Sequence, residues 1–113
     1  MVNSKHDLLV ERVSNELRAC GYSVANEIPV SEGRGAVDIS CSDKVRAIFH
    51  AEVKDSPTSI NKKRVRRQLE LYRSFFGEEA DYVLISPDAN GQVMFQNFAG
   101  FRGNIQEYLS FLG

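Results

Sequence analysis

Apolar residues recur at helical spacing over residues 5–20, where Val10, Val13, Leu17 and Cys20 form one stripe with Leu9 beside it, and Gly21 closes the helix. Over residues 22–30 the apolar positions alternate (Tyr22, Val24, Ile28, Val30), the period of a strand, and the loop Ser31-Glu32-Gly33-Arg34-Gly35 follows. Residues 36–41 form a second strand, which turns at Ser42-Asp43-Lys44 into a third over 45–54, so the two make a hairpin. Ser56-Pro57-Thr58-Ser59 breaks the strand and offers a helix cap. Val65, Leu69, Tyr72 and Phe76 then mark a helix that runs to Gly77. Residues 81–86 are a short continuous apolar strand, which suits a position covered on both faces. After the turn Pro87-Asp88-Ala89-Asn90-Gly91 come an edge strand over 92–98 and a last helix with Ile105, Tyr108, Leu109 and Leu112 on one face. There is no internal repeat. The order αβββαβ(β)α describes an α/β or α+β sandwich, one sheet with helices packed against it.

With 113 residues the chain has the length of one domain, 1–113, and its 42% hydrophobic and 26% charged residues are those of a globular protein rather than a disordered or fibrous one. Fourteen Lys and Arg against fifteen Asp and Glu leave a net charge of −1, so any basic binding surface is local. Cys20 and Cys41 are too few for a disulfide framework or a four-thiolate metal site and read as reduced core thiols. Apolar runs reach four or five residues, far short of the ~20 that span a bilayer. No apolar signal region opens the sequence, so no membrane role and a cytoplasmic location are expected.

Strand alternation puts Val45, Ala47, Phe49, Ala51 and Val53 on one face of the third strand, and Arg46, Ile48, His50, Glu52 and Lys54 on the other. In the second strand Val37, Ile39 and Cys41 form the apolar set and Asp38 faces the opposite way, where hairpin pairing brings it beside Glu52. Two carboxylates and an ammonium then converge. Carboxylates so close repel unless a divalent cation lies between them, and hard oxygen ligands with room for water suit Mg²⁺ or Mn²⁺. Such an ion lowers the pKa of a bound water and neutralises charge developing on a phosphate, while the ammonium orients the water or stabilises the pentavalent phosphorus. Phosphodiester hydrolysis is the reaction this arrangement serves best.

Ala36-Val37-Asp38 and Ala51-Glu52-Val53-Lys54, with the triplet 14 residues after the aspartate and both between two amphipathic helices, resemble the PD-(D/E)xK nuclease superfamily. Its leading proline is replaced here by Val37. The resemblance covers residues 5 to about 86 and looks nearest to archaeal Holliday junction resolvases and the nuclease domains of RecB-type exonucleases. It implies a single-domain restriction-endonuclease-like αβββαβ core, a central mixed sheet flanked by helices, in which Asp38, Glu52 and the carbonyl of Val53 hold Mg²⁺ and Lys54 acts on the water or the transition state. A residue of the first helix often completes such a metal site, and His6 or Glu11 is the candidate here. His6 continues the stripe of Val10, Val13 and Leu17, whereas Glu11 lies with Asp7, Ser14, Asn15 and Arg18. Gln68 and Tyr72 match a Q-x-x-x-Y element of RecB-type nucleases, where the glutamine lines the active site and the tyrosine approaches DNA.

Lys62, Lys63, Arg64, Arg66, Arg67 and Arg73 face only Glu70 within residues 60–73, a local charge of +5 in a chain of net −1. Lys62, Lys63, Arg64 and Arg67, together with Arg34 in its glycine-flanked loop, are the candidate contacts to a DNA backbone. There is no nucleophile elbow, P-loop or dinucleotide fingerprint, and Gly33-Arg34-Gly35 precedes a strand rather than a helix. The expected function is metal-dependent DNA cleavage, endonucleolytic rather than exonucleolytic. Two alternatives stand beside it: a junction resolvase acting as a homodimer, with Phe98 and Phe101 available for its interface, and a catalytically silent DNA-binding or interaction subunit.

Overall fold

A computed structural model describes residues 4–30 and 35–113; Arg34 and the loop residues before it lie outside the described residues. The elements follow in the order α1 (Lys5–Ala19), β1 (Ser23–Pro29), β2 (Ala36–Ser42), β3 (Ala47–Val53), α2 (Lys63–Phe76), β4 (Asp81–Pro87), β5 (Val93–Asn97), β6 (Arg102–Gly103) and α3 (Ile105–Leu112). The six strands form one sheet in sequence order, antiparallel throughout except for the parallel pair β3 and β4, which α2 connects. This is a single-domain α/β architecture with a mixed sheet and three helices. Among the described residues no helix is long and apolar enough to cross a membrane.

The sheet carries a core on each face. Val13 and Leu17 of α1 and Tyr108 of α3 pack with Ile39, Cys41, Phe49, Ala51, Val53, Val83, Ile85 and Phe95. Val65, Leu69 and Tyr72 of α2 pack on the opposite face with Val30, Val37, Tyr82 and Leu84. Alternate residues of β4 thus enter different cores, as its unbroken apolar run predicts.

Strict alternation fails in β1 and β2, at one level of the sheet. Tyr22 and Val24 lie against the α1 core, but Ile28 and Val30 lie in the α2 core. Their partners on β2 divide the same way: Ile39, opposite Asn26, belongs to the first core, and Val37, opposite Ile28, to the second. The expected single apolar set of Val37, Ile39 and Cys41 is therefore split. Glu27 adopts φ +52°, a left-handed conformation that reverses the pleat there. Asp38 sits in the reversal on the neighbouring strand.

Other boundaries move for local reasons. Asp43 Oδ1 accepts hydrogen bonds from the amides of Val45 and Arg46, which delays the start of β3 to Ala47 and leaves Val45 exposed. The serine and threonine before α2 do not cap it: Ser59 Oγ accepts from the Asn61 amide one turn early, and the N-cap position falls to Lys62, which makes no side-chain cap. β5 is not an edge strand, because the two-residue β6 pairs outside it after a turn in which Asn97 Oδ1 accepts from the Phe101 amide. Phe98 and Phe101 are half-buried, and the exposed aromatics are Phe75 and Phe111. Cys20 is exposed at the end of α1, whereas Cys41 is buried as expected.

His50 is buried on the α2 face of β3, stacked on Phe76 with ring centroids 4.1 Å apart and bonded through Nδ1 to Ser40 Oγ at 2.7 Å. Burial pushes its pKa below the ordinary 6.5. The unfolded chain therefore binds this proton more readily than the folded one, and His50 erodes stability as pH falls through 6.5 toward its lowered value. The Tm of the wild type is expected to drop more between pH 7 and 5 than that of His50→Gln, as thermal unfolding at the two pH values will test; parallel curves would contradict this.

Candidate active site

The pleat reversal builds the site. The β2–β3 ladder ends at the pair Ile39 and Ala51, and beyond it the side chain of Asp38 takes over the pairing, with Oδ2 accepting from the Val53 amide at 2.8 Å. The Asp38 carbonyl is held from the other side by Asn26 Nδ2 at 3.1 Å, and the same amide donates to Ser14 Oγ of α1 at 3.0 Å. Asp38 is thus fixed by β1, β3 and α1 together.

Glu52, one residue before the bonded Val53 amide, brings its carboxyl close enough to Asp38 for the charge of Asp38 to act on it. Burial first, and then the hydrogen bond and charge of Asp38, hold its pKa well above the usual carboxylate range, with Lys54 and the Tyr72 hydroxyl pulling the other way. Lys54 Nζ lies 4.0 Å from Glu52 Oε2, and its side chain is half-exposed where that of Glu52 is nearly covered. The acid, acid and lysine expected from alternation do come together, with Asp38 arriving from a kinked strand rather than a regular one.

His6, in the first turn of α1, places Nε2 3.3 Å from Asp38 Oδ2. Its burial lowers the pKa, but the charge and hydrogen bond of Asp38, joined by Asp7, outweigh that and raise it. His6 is thus the first-helix candidate that the fold brings to Asp38. Glu11 is exposed and makes no hydrogen bond or ion pair among the described residues, so it is not brought to the site.

A cleft of about 320 Å³ is lined by Glu52, Lys54, Arg64, Arg67 and Gln68. Gln68 faces the sheet as its place on the apolar stripe implies, and it lines the cleft beside Glu52. Tyr72 does not reach outward to a strand of nucleic acid: it is fully buried and donates to the Ala36 carbonyl at 2.9 Å, because its position on α2 falls in the centre of the apolar stripe. Lys62 and Lys63 are exposed at the start of α2, Lys63 on the outer surface with Arg67. That N-terminus has neither a side-chain cap nor an acidic residue in its first turn, only cations, an arrangement that disfavours the helix dipole and favours an anionic ligand. A larger cavity of about 420 Å³ lies elsewhere, among Tyr22, Asp43, Arg46, Glu79 and Asp81, and contains none of these residues.

Asn26 is the positioning residue that the alternation argument passed over. Its signal is in the sequence, since it is the one polar residue at an apolar position in the series Tyr22, Val24, Asn26, Ile28, Val30.

The donor set fits a hard divalent cation. Two largely covered carboxyls lie close enough for the charge of Asp38 to raise the Glu52 pKa, and a divalent cation between them would relieve that repulsion. Among the described residues no three His, Cys, Asp or Glu side chains form a ligating group, so an ion here would rest on Asp38, Glu52, a main-chain carbonyl such as that of Val53, and water. Mg²⁺ tolerates just such a sparse set of protein ligands. No protein-family model, curated protein or solved structure matches the chain.

Proposed function

We propose that the protein is a metal-dependent nuclease with a restriction-endonuclease-like core, cleaving DNA phosphodiester bonds endonucleolytically. The observation that carries this reading is the meeting of Asp38, Glu52 and Lys54 at the end of β3, beside Arg64 and Arg67 of α2. The order of elements from α1 to β4 supports it as well.

Asp38 and Glu52 would hold Mg²⁺, which supplies a nucleophilic water near neutral pH and offsets charge on the phosphate. Arg64 and Arg67 orient the phosphodiester by charge-assisted hydrogen bonds in the cleft. Lys54, half-exposed and directed by its pairing with Glu52, donates to the attacking water or to the phosphoryl oxygens as negative charge builds. Gln68, which lines the cleft with Glu52, would steady that carboxyl from the α2 side.

The test is a cleavage assay on labelled duplex, single-stranded and four-way-junction DNA with Mg²⁺, Mn²⁺ or EDTA. Cutting of at least one substrate that EDTA abolishes is expected. Failure to cut any of them in either metal would overturn the proposal.

A further inference from the structure

The basic residues of α2 do not share one face. Arg64 and Arg67 line the cleft, but Arg66 and Arg73 turn to the other flank, where their guanidinium carbons lie 4.9 and 5.1 Å from the centre of the Phe98 ring. Arg66 also lines a groove of about 270 Å³ with Ser59, Asn61, Phe98 and Arg102 of β6. No carboxylate lines this groove, although the chain as a whole is slightly acidic. Glu70 approaches Arg66 from outside it, at 3.7 Å, and is the only acid paired with any of the three arginines among the described residues.

Two like charges against one ring repel each other, and a cation–π contact at an exposed site offsets that by only about 0.5–1 kcal/mol. What the ring does supply is order: it fixes two long side chains in advance, so that less rotamer freedom is lost when an anion arrives. The groove is also joined to the cleft. Between them lies a third hollow, of about 280 Å³, which shares Arg67 with the cleft and Asn61 and Arg66 with the groove, its lining completed by Lys63 and by Glu70. The three adjoin one another around the start of α2, at the uncapped helix end, with four cations of α2, Lys63, Arg64, Arg66 and Arg67, against Glu52 in the cleft and Glu70 in the middle hollow, and Arg102 in the groove.

We infer that these adjoining hollows are a second nucleic-acid subsite: the DNA backbone leaves the cleft over the first turns of α2, and its phosphates are held in the groove by Arg66 and Arg102, with Phe98 positioning the arginines. The inference rests on the nuclease reading and adds to it a substrate that extends beyond the scissile bond.

The test is fluorescence anisotropy in EDTA, as a function of salt, with fluorescein-labelled DNA of about 6 and about 20 nucleotides, single-stranded and duplex. The wild type is compared with the double variant Arg66→Gln, Arg102→Gln, whose fold is checked by thermal unfolding. For the longer DNA the double variant should bind about tenfold or more weakly, with a slope of log K against log salt reduced by about two, one for each lost phosphate contact. Its binding of the short DNA should be unchanged. An unchanged slope in the variant, with wild-type binding intact, overturns the subsite and leaves the nuclease reading standing. No binding of either length by the wild type overturns both.

Discussion

Lys54→Ala is expected to reduce metal-dependent cleavage by about 10²–10³-fold, the loss typical of removing one donor aimed at developing charge. DNA affinity should change little, because Arg64, Arg67 and the lysines at the start of α2 remain. Stability should change little as well. Lys54 is half-exposed, its separation from Glu52 is 4.0 Å, and an ion pair of that kind contributes about 0–1 kcal/mol. A single-turnover cleavage assay with saturating enzyme, read beside binding and thermal unfolding, separates these effects. Cleavage retained within a fewfold would remove Lys54 from the mechanism.

The second large effect has opposite signs for activity and stability. Glu52→Gln should lower cleavage by about 10²-fold or more, since one of two carboxylates available to the metal is lost. Yet in EDTA at neutral pH the variant should be more stable than the wild type. The Glu52 pKa is raised in the folded chain, so the folded state holds a proton that the unfolded one gives up, and the stability contributed by the protonated form is lost as pH rises above the ordinary carboxylate value toward the raised one. A neutral amide can donate to Asp38 at every pH. The expected gain at pH 7–8 is about 4–8 °C in Tm, the shift that ~1 kcal/mol produces in a small domain. It should vanish near pH 4. Mg²⁺ should raise the Tm of the wild type and leave that of the variant nearly unmoved. A variant that melts lower than the wild type in EDTA would mean that Glu52 is held as a stabilised anion, not as a proton-sharing partner of Asp38.

Much of this molecule could be read from residue order. Helical stripes located the three helices, and the continuous apolar run of residues 81–86 marked a strand buried on both sides. Alternation and hairpin pairing pointed to the proximity of Asp38, Glu52 and Lys54, although Asp38 reaches it through a reversed pleat that alternation does not contain. What escaped that argument depends on side chains bonding to backbone at long range. Asp38 replaces a ladder hydrogen bond to Val53, Asn26 grips the Asp38 carbonyl, and neither bond has a periodic signature. β6 escaped because two residues have no period at all. The division of the α2 charge run escaped because six cations in twelve residues look like one patch until the helix is wound and Phe98 is found under only two of them.

The left-handed residue in β1 has a bearing on association as well as on the site. β1 is the outermost strand on its side of the sheet, and an open edge of seven residues is a template on which another chain can add a strand. Glu27, at φ +52°, breaks the regular spacing of amides and carbonyls along that edge, and Pro29 removes a donor. Neither residue permits an uninterrupted intermolecular ladder. The irregularity that delivers Asp38 to its partners therefore also guards the sheet against edge-to-edge aggregation, and a substitution that straightened β1 would expose the chain to that hazard while it dismantled the carboxylate pair.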